Sequence, residues 1–171
     1  MYKDKIWFKI LLGTLLLAII GPLSINMQGF VPVTLQSVGI ILVPIIFGWR
    51  AGVVSIVLYL LLGAFGVPIF ADFKSGWQVF AGPTAGFLFG FIPTGFFAGW
   101  YAERVKVQYG RFFFLFVAAH FILLFFGLVG LLLSGLSFAE LWKTILFLVP
   151  GIMIKSFFGA FVILAIKMKK T

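Results

Sequence analysis

A single lysine lies in an otherwise uncharged apolar run near the end of the chain. The run reads LVPGIMIKSFFGAFVILAIKMKK over residues 148–170, and Lys155 comes 12 residues before Lys167. A helix would put Lys155 roughly 18 Å from the charged end, inside a hydrocarbon core about 30 Å thick. Because a lysine at that depth costs about 2.5–3.5 kcal/mol, we expect it to serve a function.

Two interpretations of Lys155 compete. In the first, its side chain snorkels to the membrane interface. In the second, Pro150 and Gly151 break the helix or delay its start, so that Lys155 points into an outward-facing cavity. We favour the second interpretation, because an anionic ligand would offset the cost of burying the ammonium. It predicts a membrane protein that binds a small, mostly apolar carboxylate from outside.

A second group of candidate residues lies in the less hydrophobic stretch GVPIFADFKSGWQVFAGPTAG, residues 66–86. Irregular backbone near a membrane needs protein or water around it, so we expect this stretch to line the mouth of a cavity. Its aromatic residues Phe70, Phe73 and Trp77 would cap an apolar ligand, and Lys74 would close over the carboxylate. An interfacial belt of aromatic anchors is the alternative interpretation.

The remaining polar residues offer little catalytic chemistry. The four acids, Asp4, Asp72, Glu103 and Glu140, all fall at the ends of apolar segments or in loops, and there is no cysteine. No phosphate-binding loop, GxSxG or HExxH motif occurs. The only histidine, His120, has no acid near it in sequence and is interpreted as a hydrogen-bonded polar residue between helices. We therefore expect no catalytic residue, no metal site, no cofactor bound by this chain, and no enzyme.

The composition indicates a membrane protein, since 63% of the residues are hydrophobic and only 10% are charged. Apolar segments at about 6–23, 35–49, 51–66, 82–101, 112–134 and 148–167 predict an all-α integral membrane protein, a bundle of six transmembrane helices. The second and third segments are separated only by GWRAG, which predicts a tight helical hairpin. We expect one transmembrane domain over residues 1–171, with the first segment retained as a span.

The positive-inside rule orients this bundle. With both termini in the cytoplasm, 10 of the 13 Lys and Arg residues lie inside. Those ten are Lys3, Lys5, Lys9, Arg50, Arg104, Lys106, Arg111, Lys167, Lys169 and Lys170. The net charge of +9 then follows from topology and requires no nucleic acid. The expected location is the plasma membrane of a prokaryote, as a multi-pass protein.

Small residues in the first segment are candidates for helix contact. Thr14 and Ala18 form a small-xxx-small ridge, which allows close helix approach in membranes. The ridge either packs inside the protein or docks a membrane partner. We name both residues as the predicted docking site.

The chain resembles the BioY family of biotin-specific S components of energy-coupling factor (ECF) transporters. The resemblance rests on VPVTLQSVGIILVPIIFG, LYLLLGAFGVPIFA, GPTAGFLFGF and VPGIMIK, in that order, and covers residues 30 to 160 or so. It implies a six-helix bundle with a ligand pocket near the outer face. It also implies partners, namely a transmembrane coupling protein and two ATP-binding cassette ATPases. ATP would be used by those ATPases and not by this chain.

Two positions depart from the family pattern. Lys74 stands where the family has an asparagine, and Ile152 replaces the acid of a PGDxxK motif whose lysine is Lys155. In the family those polar residues are the natural partners of the ureido ring of biotin. An unpaired ureido N–H against Ile152 costs about 1–3 kcal/mol. We therefore expect a preference for lipoate, which has the same tail and no N–H, although Gln36, Gln78 or backbone carbonyls remain possible partners for a ureido ring.

The favoured function is a BioY-like S component that binds biotin or a biotin-like carboxylate. A small stand-alone membrane carrier or channel for organic anions is the alternative, and a membrane enzyme is a third, disfavoured class. The predicted ligand-binding residues are Lys155, Lys74, Gln36, Phe70, Phe73, Trp77, Thr84, Phe87 and Ile152.

Overall fold

The computed structural model describes residues 2–25 and 33–168, and these residues form six α-helices. They are α1 (Tyr2–Ile20), α2 (Gln36–Phe47), α3 (Trp49–Ala64), α4 (Ala85–Ala102), α5 (Tyr109–Leu133) and α6 (Phe138–Met168). Two-residue strands β1 (Ser24–Ile25) and β2 (Val33–Thr34) pair antiparallel between α1 and α2. The predicted all-α bundle is confirmed. Lys169 and Lys170, counted above for orientation, lie outside the described residues.

The helices differ in how far they can reach across a membrane. Of the described helices, α4, α5 and α6 are long and apolar enough to cross one. Helices α2 and α3 have 12 and 16 residues, or about 18 and 24 Å. The predicted hairpin between them is confirmed, because only Gly48 separates the two helices and its φ of 92° suits a residue without Cβ. The Glu103 Oε1 atom accepts a hydrogen bond from the backbone N of Trp49 at 3.1 Å, which caps the start of α3.

Helix α6 corrects one prediction from the sequence. It begins at Phe138 and continues for 31 residues through Pro150, so the expected late start at 148 is wrong. A capping box starts the helix: the Ser137 backbone N and Oγ donate to Glu140 Oε2, at 2.8 and 2.7 Å. A proline inside a membrane helix is tolerated where the packed surroundings satisfy the carbonyl that it leaves unbonded.

Two clusters of buried apolar side chains hold the helices together, one towards each end of the bundle. The first includes Leu17, Ile40, Ile56, Tyr59, Phe70, Phe91 and Leu123. The second includes Ile41, Ala98, Phe112, Phe116, Ala160 and Ile163. Helix α4 is central and packs against α2, α3 and α5, while α6 packs mainly against α5. Large apolar side chains on the outer faces, such as Phe114, Phe125, Phe157 and Phe161, are exposed, as expected for contact with lipid.

The structure places Thr14 inside the protein. Its side chain is buried, and its Oγ1 donates to Ile10 O at 2.9 Å and to Ser55 O of α3 at 3.3 Å. Of the two alternatives for this ridge, internal packing therefore applies to Thr14, and a surface role for it is incompatible with this burial. Ala18 is half-buried and packs against the first cluster, so docking through Ala18 stays a prediction.

Helices α4 and α5 touch backbone to backbone. An added Cβ at Gly130 would lie 2.6 Å from the Cα of Gly86, so the crossing requires glycine on both helices. An added Cβ at Gly110, in the first turn of the same helix, would meet nothing within 4 Å.

We expect Gly130→Ala to destabilise the bundle and Gly110→Ala to leave it nearly unchanged. The first variant forces two packed backbones apart, and overpacking of this kind costs about 1–3 kcal/mol. Thermal unfolding of both variants in detergent micelles checks this. Equal midpoints for the two variants would contradict the close α4–α5 crossing.

Candidate ligand-binding site

A cavity opens at the end of the bundle where α2 begins and α3 ends. About 880 Å³ of empty space lies within it, a figure that includes the open solvent at its mouth. Its apolar wall comprises Phe70, Ala71, Val79, Phe87, Leu88, Phe91, Leu123, Leu124, Leu148, Gly151 and Ile152. Its polar lining residues are Thr34, Gln36, Ser37, Lys74, Thr84, His120 and Lys155. Two of the lining residues are lysines, and none of those in the described part of the chain is an acid.

Lys155 lines this cavity as predicted, although α6 is continuous around it. Its Nζ donates to Ser37 Oγ, in the first turn of α2, at 3.3 Å. Ile152 lies one turn earlier on α6, is buried, and lines the same cavity. The side chain of Lys155 therefore faces the interior of the bundle, and snorkelling along the lipid face does not describe it.

The first turn of α2 has an orientation that suits an anion. Thr34, Gln36 and Ser37 all line the cavity, so the N-terminus of α2 faces it. Leu35 occupies the N-cap and provides no side-chain hydrogen bond to the first N–H groups. Those N–H groups carry the positive end of the helix dipole. Lys155 and the α2 N-terminus thus place two sources of positive potential at one point, Ser37.

A chain of hydrogen bonds fixes the orientation of Gln36. The Gln36 Nε2 atom donates to Tyr59 Oη at 2.6 Å, and Tyr59 Oη donates to Ile69 O at 2.7 Å. Because the phenol has one hydrogen and gives it to a carbonyl, it must accept from the Gln36 amide nitrogen. The Gln36 side chain is therefore held with its carbonyl oxygen as its remaining acceptor, and the segment after α3 is tied to α2.

The segment between α3 and α4 places its residues in two groups. Phe70 is buried, lines the cavity and packs edge-on against Tyr59 with ring centroids 5.5 Å apart. Phe73 and Trp77 are 68% and 63% exposed and do not line the cavity. The Trp77 ring instead packs against Phe65 on the outside. The structure therefore does not bring these two aromatics to the cavity, and their exposure fits the alternative of interfacial anchors.

Lys74 is the second lysine of the cavity, but it lies at the mouth. Its side chain is 60% exposed, and its Nζ lies 3.9 Å from Asp72 Oδ2. Asp72 also accepts a hydrogen bond from Ser24 Oγ, so the segment is joined to the strand after α1. Asp72 and Phe73 adopt positive φ values of 58° and 56°, a local conformation that is unusual for both residue types.

Seven of the nine predicted ligand-binding residues line the cavity, and the two exposed aromatics do not. Their roles in binding stay predictions. Sequence reasoning missed His120, which lines the cavity from α5. Its side chain is 2% exposed, with Nδ1 2.8 Å from Phe116 O and with Nε2 lacking a partner among the described residues. The only signal in the sequence was its place in the middle of an apolar segment.

The fold is that of a membrane transporter subunit. The backbone superposes on the crystal structure of the S component for biotin of an ECF-type ABC transporter with a TM-score of 0.87. The superposition covers 98% of this chain and 93% of the other, at 22% identity, so it speaks to the fold alone.

Sequence comparisons identify the family. The family model of BioY matches residues 3–170, and the chain belongs to the BioY family. It is 37% identical over 122 residues to biotin transporter BioY2 of Lactococcus lactis subsp. cremoris, covering 71% of this chain and 66% of that protein. It is 33% identical over 155 residues to biotin transporter BioY of Rhizobium etli, covering 84% and 81%. The family relationship confirms that the chain is not an enzyme, and it gives no support to a preference for lipoate.

We expect Tyr59→Phe to lower the stability of the fold and to release the Gln36 side chain at the cavity. The change leaves the Gln36 amide and the Ile69 carbonyl without their shared partner, at about 1–3 kcal/mol for each buried group. Thermal unfolding in micelles measures the loss. Tyr101→Phe is the matched control, since the Tyr101 hydroxyl makes no hydrogen bond to another described residue and its ring stacks on Phe97. An unchanged unfolding midpoint for Tyr59→Phe would contradict a stabilising role for this chain of hydrogen bonds.

Proposed function

We propose that this chain is the substrate-binding S component of an ECF-type importer and that it binds biotin. The observation that carries the proposal is Lys155, an ammonium directed into a membrane cavity whose described lining contains no carboxylate. The curated relatives are named biotin transporters, and biotin carries the carboxylate that this arrangement lacks.

Electrostatics favour Lys155 as the partner of the ligand carboxylate. Lys155 is partly buried and has a hydrogen-bond partner in Ser37, but its described surroundings in the cavity include no acid to balance its charge. An uncompensated charge inside a protein is unfavourable, and the carboxylate of a ligand would balance it. The α2 N-terminus beside Ser37 favours the same charge. Lys74 is less suited, because Asp72 already lies 3.9 Å from it and its side chain is largely in solvent.

The apolar wall suits the rest of such a ligand. Phe87, Leu88, Phe91 and Leu123 line the cavity and offer a surface for a pentanoate chain and a sulfur-containing ring. A lipoate-like acid would use the same wall and the same lysine. The specific reason to retain it as a second ligand is Ile152, which is buried in the lining where the family pattern carries an acid.

Transport by this chain needs an energy source from elsewhere. The sequence has no nucleotide-binding loop and the described cavity lining has no acid for proton coupling. We propose a membrane coupling protein and two ABC ATPases as partners, in the plasma membrane, with ATP used by the ATPases. The alternative of a stand-alone carrier or channel would require a polar path through the second buried cluster, which is apolar.

Removing the charge of Lys155 should weaken biotin binding about tenfold or more. Lys155→Met keeps the length of the side chain and removes a charge-assisted hydrogen bond worth about 1.5–3 kcal/mol. Biotinamide, which has no carboxylate, should bind the wild type weakly and lose little further on the variant. Titration calorimetry in micelles measures all four affinities.

Lys74→Met is the matched control for this cycle, because it removes the other lysine of the cavity. We expect it to reduce the affinity for biotin and for biotinamide by similar, small factors. A loss of affinity for biotin but not for biotinamide in Lys74→Met, and not in Lys155→Met, would contradict the pairing of the carboxylate with Lys155. Undiminished binding of biotin by Lys155→Met would leave that lysine without a role in the site.

Proteoliposomes that contain only this chain should bind biotin but not concentrate it. Flux of labelled biotin measured against a gradient, with and without an imposed proton gradient, tests this directly. Uphill accumulation by the chain alone would favour the stand-alone carrier over the S component.

A further inference from the structure

His120 is a cavity-lining residue with one nitrogen that lacks a partner among the described residues. The side chain is 2% exposed and lines the cavity from α5. Its Nδ1 is 2.8 Å from the backbone oxygen of Phe116, one turn earlier on the same helix. Its Nε2 is buried and lacks a partner among the described residues. A buried polar atom without a partner is uncommon in a folded protein, and a ligand is one explanation of it.

The contact with Phe116 fixes the tautomer. A backbone carbonyl oxygen can only accept, so Nδ1 must carry the hydrogen that joins them. In a neutral imidazole with Nδ1 protonated, Nε2 has a lone pair and no hydrogen. The unpartnered Nε2 of this cavity-lining residue is therefore a hydrogen-bond acceptor.

The surroundings favour the neutral ring. The cavity already contains the Lys155 ammonium, and its described lining residues include no acid that would pair with a second cation. Charging a buried imidazole beside that lysine would add an uncompensated charge. A neutral acceptor is consistent with the electrostatics, and it complements the donors at Lys155 and the α2 N-terminus.

We propose that His120 Nε2 accepts a hydrogen bond from an N–H group of the ligand's ureido ring, which makes His120 a residue that sets the specificity of the site. The proposal rests on the proposed function, since the carboxylate is assigned to Lys155 and the ring to the remainder of the cavity. It gives the N–H of a ureido group a partner although Ile152 has no acceptor. The replacement at Ile152 then no longer implies a ring without N–H.

The test is a cycle that pairs a change in His120 with a change in the ligand. His120→Phe keeps an aromatic ring and removes the acceptor, while His120→Gln places an amide oxygen near the position of Nε2. The ligands are biotin, dethiobiotin, and two biotin derivatives methylated in turn at each ureido nitrogen. Calorimetry gives the affinities, and thermal unfolding without ligand shows which variants fold.

We expect His120→Phe to weaken biotin and dethiobiotin about tenfold or more, and His120→Gln to restore most of the affinity. One of the two N-methyl derivatives should bind the wild type weakly and lose nothing further on His120→Phe. Undiminished biotin binding by a folded His120→Phe variant would overturn the inference while leaving the biotin function intact.

Two further arms separate the explanations. If His120→Phe instead loses affinity for biotin but not for biotinamide, the imidazole of His120 pairs with the ligand carboxylate and the inference is wrong. If His120→Phe does not fold, the wild type carries the test, and tight binding of both N-methyl derivatives overturns the inference. Failure of the wild type to bind biotin at all would remove the proposed function, and this inference with it.

Discussion

The structure depends on one electrostatic constraint, a lysine ammonium directed into a cavity in the membrane. Lys155 donates to Ser37 and faces a lining whose described residues include no acid. A cation in that position raises the free energy of the empty bundle. The carboxylate of the proposed ligand would lower it, so the same constraint accounts for the sign of the charge that we propose the site binds.

The arrangement of the helices serves this constraint. The short helix α2 begins at the cavity, so its dipole adds positive potential beside Lys155. The chain of hydrogen bonds from Gln36 through Tyr59 to Ile69 ties that helix end to the segment after α3, which lines the cavity. Gly86 and Gly130 bring α4 and α5 into backbone contact, and both helices contribute residues to the cavity, His120 among them from α5.

Much of this was open to prediction, because apolar segments and a lysine among them are strong signals in a membrane protein. The helices and the hairpin at Gly48 followed from hydropathy and a turn residue. Pro150 misled the prediction for α6, since the capping box at Ser137 and Glu140 outweighs a proline that a packed bundle tolerates. The surroundings of three side chains could not be predicted, because only tertiary packing decides which neighbours they meet. These are Thr14, Trp77 and His120.

A crystal structure of the chain with biotin would show where the carboxylate binds. We expect a carboxylate oxygen within hydrogen-bond distance of Lys155 Nζ, beside the first turn of α2 at Ser37. Biotin with its carboxylate on Lys74 at the mouth, or biotin bound outside this cavity, would contradict it.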